Sequence, residues 1–159
     1  MDLGLTDKVA IITGASDGIG KAAARRIAAE GGTVMIIART ESTLNAAADE
    51  LSQNSKGQVI PVVGDVCDPD LPKRVVEEAI GKFGRIDILV NNAGRSMAKH
   101  FDSVSDVDWE EDFDLKVWGA VRLIRAVIPE MRKNNGGRII NVTNLGGRTP
   151  GPSSMPTSI

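Results

Sequence analysis

The sequence predicts an α/β fold, a doubly wound parallel sheet with helices on both faces. Three observations lead there. Short apolar runs of four to six residues alternate with longer stretches of helical period. Those short runs are apolar on both faces, as strands in a covered parallel sheet must be. A glycine-rich turn joins the first strand candidate to the first helix candidate, and the alternation of strand and helix continues from there. Right-handed crossovers then favour double winding, with a ligand at the carboxyl ends of the strands.

Residues 8–13 (KVAIIT) form the first strand candidate, ended by Gly14. Over 18–30, Ile19, Ala23, Ile27 and Ala28 fall on one helical face while Lys21, Arg25 and Arg26 fall off it. Gly31 and Gly32 end that helix cheaply, because glycine accepts a left-handed cap. Strands are then expected at 33–38, 58–63 and 86–90, with helices at 41–54 and 71–83. The longest helical pattern runs over 110–133, where Phe113, Val117, Ala120, Val121, Ile124, Val127, Ile128 and Met131 keep three-and-four spacing. A second, half-apolar face on the same helix carries Leu115, Trp118 and Leu123. Residues 138–143 (RIINVT) make a fifth strand, and 145–159 is a loop rich in glycine, proline and serine. The domain is therefore expected to span 1–144.

Composition narrows the class. The chain has 159 residues, 42% of them hydrophobic, which is enough for one domain with a substantial core. A net charge of −2 without a basic stripe argues against nucleic acid as a partner. No apolar run reaches membrane-spanning length, and residues 1–14 do not read as a signal peptide. One cysteine, Cys67, cannot form an internal disulfide, so a cytoplasmic location is expected. A single histidine and a single cysteine leave little material for a zinc site, and no metal is expected. The chain contains no tyrosine.

TGASDGIG, at 13–20, places Gly14, Gly18 and Gly20 as GxxxGxG between strand and helix. Such a turn lets the backbone approach a pyrophosphate, with the positive end of the helix dipole facing the anion. Taken alone, the pattern fits a plain strand–helix turn equally well. Arg39, followed by Thr40, lies at the end of the second strand, where an adenosine ribose would lie. Ala38 and Arg39 offer a guanidinium and no carboxylate, which suits a 2′-phosphate rather than a free 2′-hydroxyl. The alternative is an ordinary solvated arginine.

GDV at 64–66 and NNAG at 91–94 follow the third and fourth strands directly. Together with TGASDGIG, they make the chain resemble the short-chain dehydrogenase/reductase family from about Lys8 to its end. The resemblance implies a Rossmann-type fold binding a nicotinamide dinucleotide, and Arg39 without an acid at position 38 makes NADP(H) the expected choice over NAD(H). It assigns the cofactor site to Gly14, Ser16, Asp17, Gly18, Ile19, Gly20, Arg39, Thr40, Asp65, Val66, Asn92, Ala93, Gly94 and Thr143, with Asp65 at the adenine and Thr143 along the nicotinamide.

Members of that family reduce carbonyls or oxidise alcohols with an asparagine in the long helix, a serine after the fifth strand, and the tyrosine and lysine of a YxxxK motif. Matched to these, the chain carries Lys116, Asn144 and Thr157, and the final lysine would fall beyond Ile159. A threonine hydroxyl cannot replace a phenol as proton donor near neutral pH. Two readings stay open. The three residues are substitutes in a member that binds nucleotide without the usual turnover. In the other reading Lys116 brings a positive charge to the site, leaving Asn144 and Thr157 to polarise a substrate oxygen. The resemblance also implies a C-terminal part with further strands, absent from this sequence. The fifth strand, with Ile139, Ile140 and Val142, would be an apolar edge, covered either by further chain or by a second molecule, and the half-apolar face of the 110–133 helix points to a homo-oligomer. The function expected is an NADP(H)-dependent oxidoreductase acting on a small carbonyl or alcohol, oxoacyl-reductase-like by analogy. The alternative is a catalytically impaired nucleotide-binding module.

Overall fold

The computed structural model describes residues 2–149 and 155–156. Five parallel strands, β1 (Val9–Thr13), β2 (Thr33–Ala38), β3 (Val59–Val63), β4 (Ile88–Asn91) and β6 (Arg138–Asn141), form one sheet in the order β3-β2-β1-β4-β6. The order reverses direction at β1, so the crevice beside β1 and β4 is the switch point where ligands of such sheets bind. In-register pairs such as Ile12↔Ile36 and Ile12↔Val90 bury β1 at the centre.

Alternation along β1 feeds both layers. Ala10 and Ile12 pack with Ala24, Ala28 and Leu44 from helices α1 (Gly18–Ala29) and α2 (Glu41–Ser52). Ile11 points the other way, into a cluster with Leu71, Val75, Leu123 and Val127. Those residues come from α3 (Leu71–Phe83) and α5 (Gly119–Lys133). The two-sided apolar strands expected from sequence thus have a helix layer on each side.

The long helix departs from expectation in three ways. It begins earlier, as α4 (Asp106–Phe113), where Ser105 and Asp108 form a capping box. Between α4 and α5 lies a wide π turn, Asp114–Trp118. Its buried stripe runs through Asp112, Gly119, Leu123, Val127 and Met131, while Phe113 is 42% exposed. Leu123, assigned from sequence to the outer face, is in the core, so the expected docking face keeps Trp118 but loses Leu123. A helix with apolar residues on several faces leaves the choice of face to packing. An extra residue in a turn also rotates the positions beyond it by roughly 100°.

The stretch after residue 144 is not a plain loop throughout. Leu145–Gly147 makes a short 3-10 turn, and Met155–Pro156 (β7) pairs antiparallel with Ala98–Lys99 (β5). Among the described residues β6 is an edge of the main sheet, with Ile139 and Ile140 partly exposed.

Candidate active site

The glycine loop is held from both sides of the switch point. Gly14 N donates to Ile37 O at 2.8 Å, tying the loop to β2. The Asn92 amide, just past β4, donates to the carbonyls of Thr13 and Gly14, each at 3.0 Å. Thr13 Oγ1 accepts from the backbone N–H groups of Asn92 and Ala93 at 3.0 and 2.9 Å. Asn92, expected at the cofactor, therefore spends its side-chain donors on the loop. Thr13, which sequence reasoning did not single out, is the buried other half of this clamp.

Glycine is required at several positions of this loop, Gly18 and Gly20 among them. Gly18 has φ of +57°, with nothing within 4 Å of where a Cβ would stand, so the backbone faces open space. A Cβ at Gly20 would lie 2.6 Å from Gly14 O and 2.5 Å from Asn92 Nδ2, so only glycine lets α1 pack against the loop. Asp17 precedes α1 in extended conformation without capping it through its side chain, and the first turn holds no acidic residue. A pyrophosphate fits there: the helix's positive end is uncontested by protein carboxylates in that turn.

Two adjoining clefts open at the carboxyl ends of the strands. The narrower, about 260 Å³, is lined by Gly14, Ser16, Asp17, Arg39, Thr40 and Asp65. Arg39 Nη1 stands 3.8 Å from Asp65 Oδ2, and both side chains are substantially exposed. An ion pair of that kind contributes about 0–1 kcal/mol, so it competes weakly with a phosphate. Val66, Ala93, Gly94 and Leu115 line both clefts. The wider, about 570 Å³, receives Ile19, Asn92, Lys116, Thr143 and Asn144. Every cofactor residue expected from sequence thus lines one cleft or the other, except Gly18 and Gly20, which shape the loop. Thr157 lies outside the described residues.

Polar groups that sequence reasoning missed also meet at the wider cleft. Asn91 Nδ2 donates to Asn141 Oδ1 at 2.9 Å across β4 and β6, while its own buried Oδ1 has no partner among the described residues. Both residues line the cleft. Lys116 sits within the π turn, its Nζ 2.6 Å from Oδ2 of the fully buried Asp112. Only the position of Lys116 was visible in the sequence; an aspartate one turn earlier on a helix gives no sign of burial.

Nearby, burial pushes the Cys67 thiol up to about 12, helped by the Asp65 and Asp114 carboxylates. Cys67 is accordingly a protonated thiol near neutral pH and no nucleophile.

Comparison with known proteins agrees with this architecture. A profile of the family described as short chain dehydrogenase matches residues 8–156. YvrD of Bacillus subtilis (strain 168), named an uncharacterized oxidoreductase, is 38% identical over 159 residues, covering 100% of this chain and 59% of YvrD. A fatty acyl-CoA reductase of Acinetobacter baylyi (strain ATCC 33305 / BD413 / ADP1) is 38% identical over 141 residues, 87% of this chain and 48% of the reductase. L-sorbose reductase from Gluconobacter frateurii, solved with NADPH and L-sorbose, superposes with a TM-score of 0.94 at 37% identity. That match covers 99% of this chain and 60% of the reductase. The chain therefore spans about 59% of the curated relative it matches over its whole length. Sheet order, glycine loop, strand-end motifs and the profile match agree, and the chain belongs to the short chain dehydrogenase family.

Proposed function

We propose that this chain is the cofactor-binding part of an oxidoreductase that uses NADP(H) to interconvert a small carbonyl compound and its alcohol. The observation that carries the cofactor choice is Arg39 in the narrower cleft, exposed and, among the described residues, held by a 3.8 Å contact to Asp65. A charge-assisted hydrogen bond to a 2′-phosphate is worth about 1.5–3 kcal/mol, more than the ion pair it displaces. The L-sorbose reductase solved with NADPH supports the same choice.

In this reading Gly18 and the start of α1 take the pyrophosphate, Arg39 and Thr40 the 2′-phosphate, and Asp65 the adenine. When bound, NADPH supplies the hydride. Asn92 and Thr13 keep the loop rigid, which limits the ordering cost of binding. Thr143 and Asn144 border the wider cleft, where a substrate oxygen would sit.

The test is a pair of titrations, NADPH and NADH, on wild type and Arg39→Ala. Tighter binding of NADPH by roughly tenfold or more, lost in Arg39→Ala, is expected. Equal affinities in wild type refute the assignment. A second reading, nucleotide binding without turnover, is favoured by the absence of tyrosine from the chain. NADPH binding without oxidation across a panel of ketones would select it.

A further inference from the structure

The π turn between α4 and α5 carries an ion pair that the cofactor site does not explain. Asp112 is 0% exposed, the one charged side chain among the described residues with no accessible surface. Lys116 follows one turn later, its Nζ 2.6 Å from Asp112 Oδ2. The Lys116 nitrogen is itself buried, and among the described residues neither it nor either Asp112 oxygen makes a hydrogen bond of good geometry. Lys116 lines the wider cleft beside Val117, Ala120 and Asn144.

A pair kept for stability alone would look different. Burying two charges costs more than burying two apolar side chains unless every donor and acceptor is satisfied. Here the hydrogen-bonding capacity of both groups is largely unused. The helix is also irregular at this point, and π turns are rare and cluster at functional sites. Lowered solvent screening strengthens the field of the buried pair, whose positive member belongs to the residue that lines the cleft while Asp112 does not.

We propose that Asp112 is a positioning residue: its buried carboxylate holds the Lys116 ammonium just behind the wall of the wider cleft, where its positive charge faces the substrate oxygen without touching it. The inference rests on the oxidoreductase reading above. Lys116 acts by electrostatic stabilisation of negative charge on that oxygen, and no covalent step is assigned to either residue. Asp112 touches neither substrate nor cofactor and acts only through Lys116.

Asp112→Asn keeps the shape and removes the anchor. It is expected to lower kcat for ketone reduction by about tenfold or more, with KM for NADPH within about twofold of wild type. Asp112→Glu, which keeps the carboxylate, should recover part of the loss. Asp112→Asn added to Lys116→Met should cost nothing beyond Lys116→Met alone, since no ammonium remains to place. Wild-type turnover in Asp112→Asn, or losses that multiply in the double variant, would overturn the proposal.

Lysine acetylation read by mass spectrometry gives an answer without any variant or turnover. In the wild-type protein Lys116 should label at least about tenfold more slowly than Lys73, whose side chain is 79% exposed, and more slowly still with NADP⁺ and a ketone bound. Labelling of Lys116 at the Lys73 rate, or no further protection in the ternary complex, overturns it. Failure of wild type to bind NADPH would instead overturn the functional reading on which the proposal rests.

Discussion

Gly20→Ala tests whether the cofactor loop owes its shape to the contact between α1 and the end of β4. The added Cβ would stand 2.6 Å from Gly14 O and 2.5 Å from Asn92 Nδ2. Gly14 cannot yield freely, because its N–H is bonded to Ile37 O at 2.8 Å. Asn92 can move only by giving up its two 3.0 Å hydrogen bonds to the loop. Losing those bonds costs about 1–3 kcal/mol. Overpacking adds about 1–3 kcal/mol. Alanine's better helix propensity returns about 0.5–1 kcal/mol. The net destabilisation is about 3 kcal/mol, which lowers the urea midpoint by roughly 1–2 M for a domain of this size. Asn92→Ala removes the bonds without the clash and should cost less, about 1–3 kcal/mol. Urea unfolding followed by circular dichroism, run beside an NADPH titration, measures both effects. If Gly20→Ala unfolds within about 0.3 M of wild type and binds NADPH unchanged, the clamp does not set the loop.

Two other perturbations probe different parts of the molecule. Gly18→Val places a branched side chain at φ +57° in the open space before α1. It should abolish NADPH binding by calorimetry while the strands keep their circular dichroism, and retained affinity would show that the pyrophosphate lies elsewhere. Asp87 accepts from Val9 N at 2.9 Å and from Arg85 at 2.8 and 2.6 Å, at the opposite end of the sheet. Burial raises the Asp87 pKa, but the hydrogen bonds from Arg85 and Val9, with the charges of Arg85 and Lys8, outweigh it and hold it below the usual carboxylate value. Its contribution to stability is thus present above about pH 4 and is lost as pH falls through the lowered folded-state value. Asp87→Asn should destabilise at pH 7 and flatten that acid limb in urea titrations at several pH values. A wild-type acid limb in the variant would contradict the assignment.

The strands, the helices and the glycine loop were legible because their signals are local. Four to six apolar residues ended by a turn mark a buried strand wherever they occur, and TGASDGIG stands between one such run and a helix. Arg39 was legible for the same reason, since its place at the end of β2 follows from strand length. The three strand-end motifs together made the family recognisable. What the side chains do with one another was not local. Thr13 and Asn92 are 79 residues apart, and nothing at either position announces that the amide turns back onto the loop. Asp112 is polar on an apolar-patterned helix, which in isolation reads as a solvated position. Burial of that carboxylate, the π turn after it and the ion pair with Lys116 depend on how the helix packs over the sheet. Periodicity counts residues along one axis, whereas the choice of buried face is made by area removed from water across elements distant in sequence. Packing alone therefore put Leu123 in the core and left Phe113 exposed.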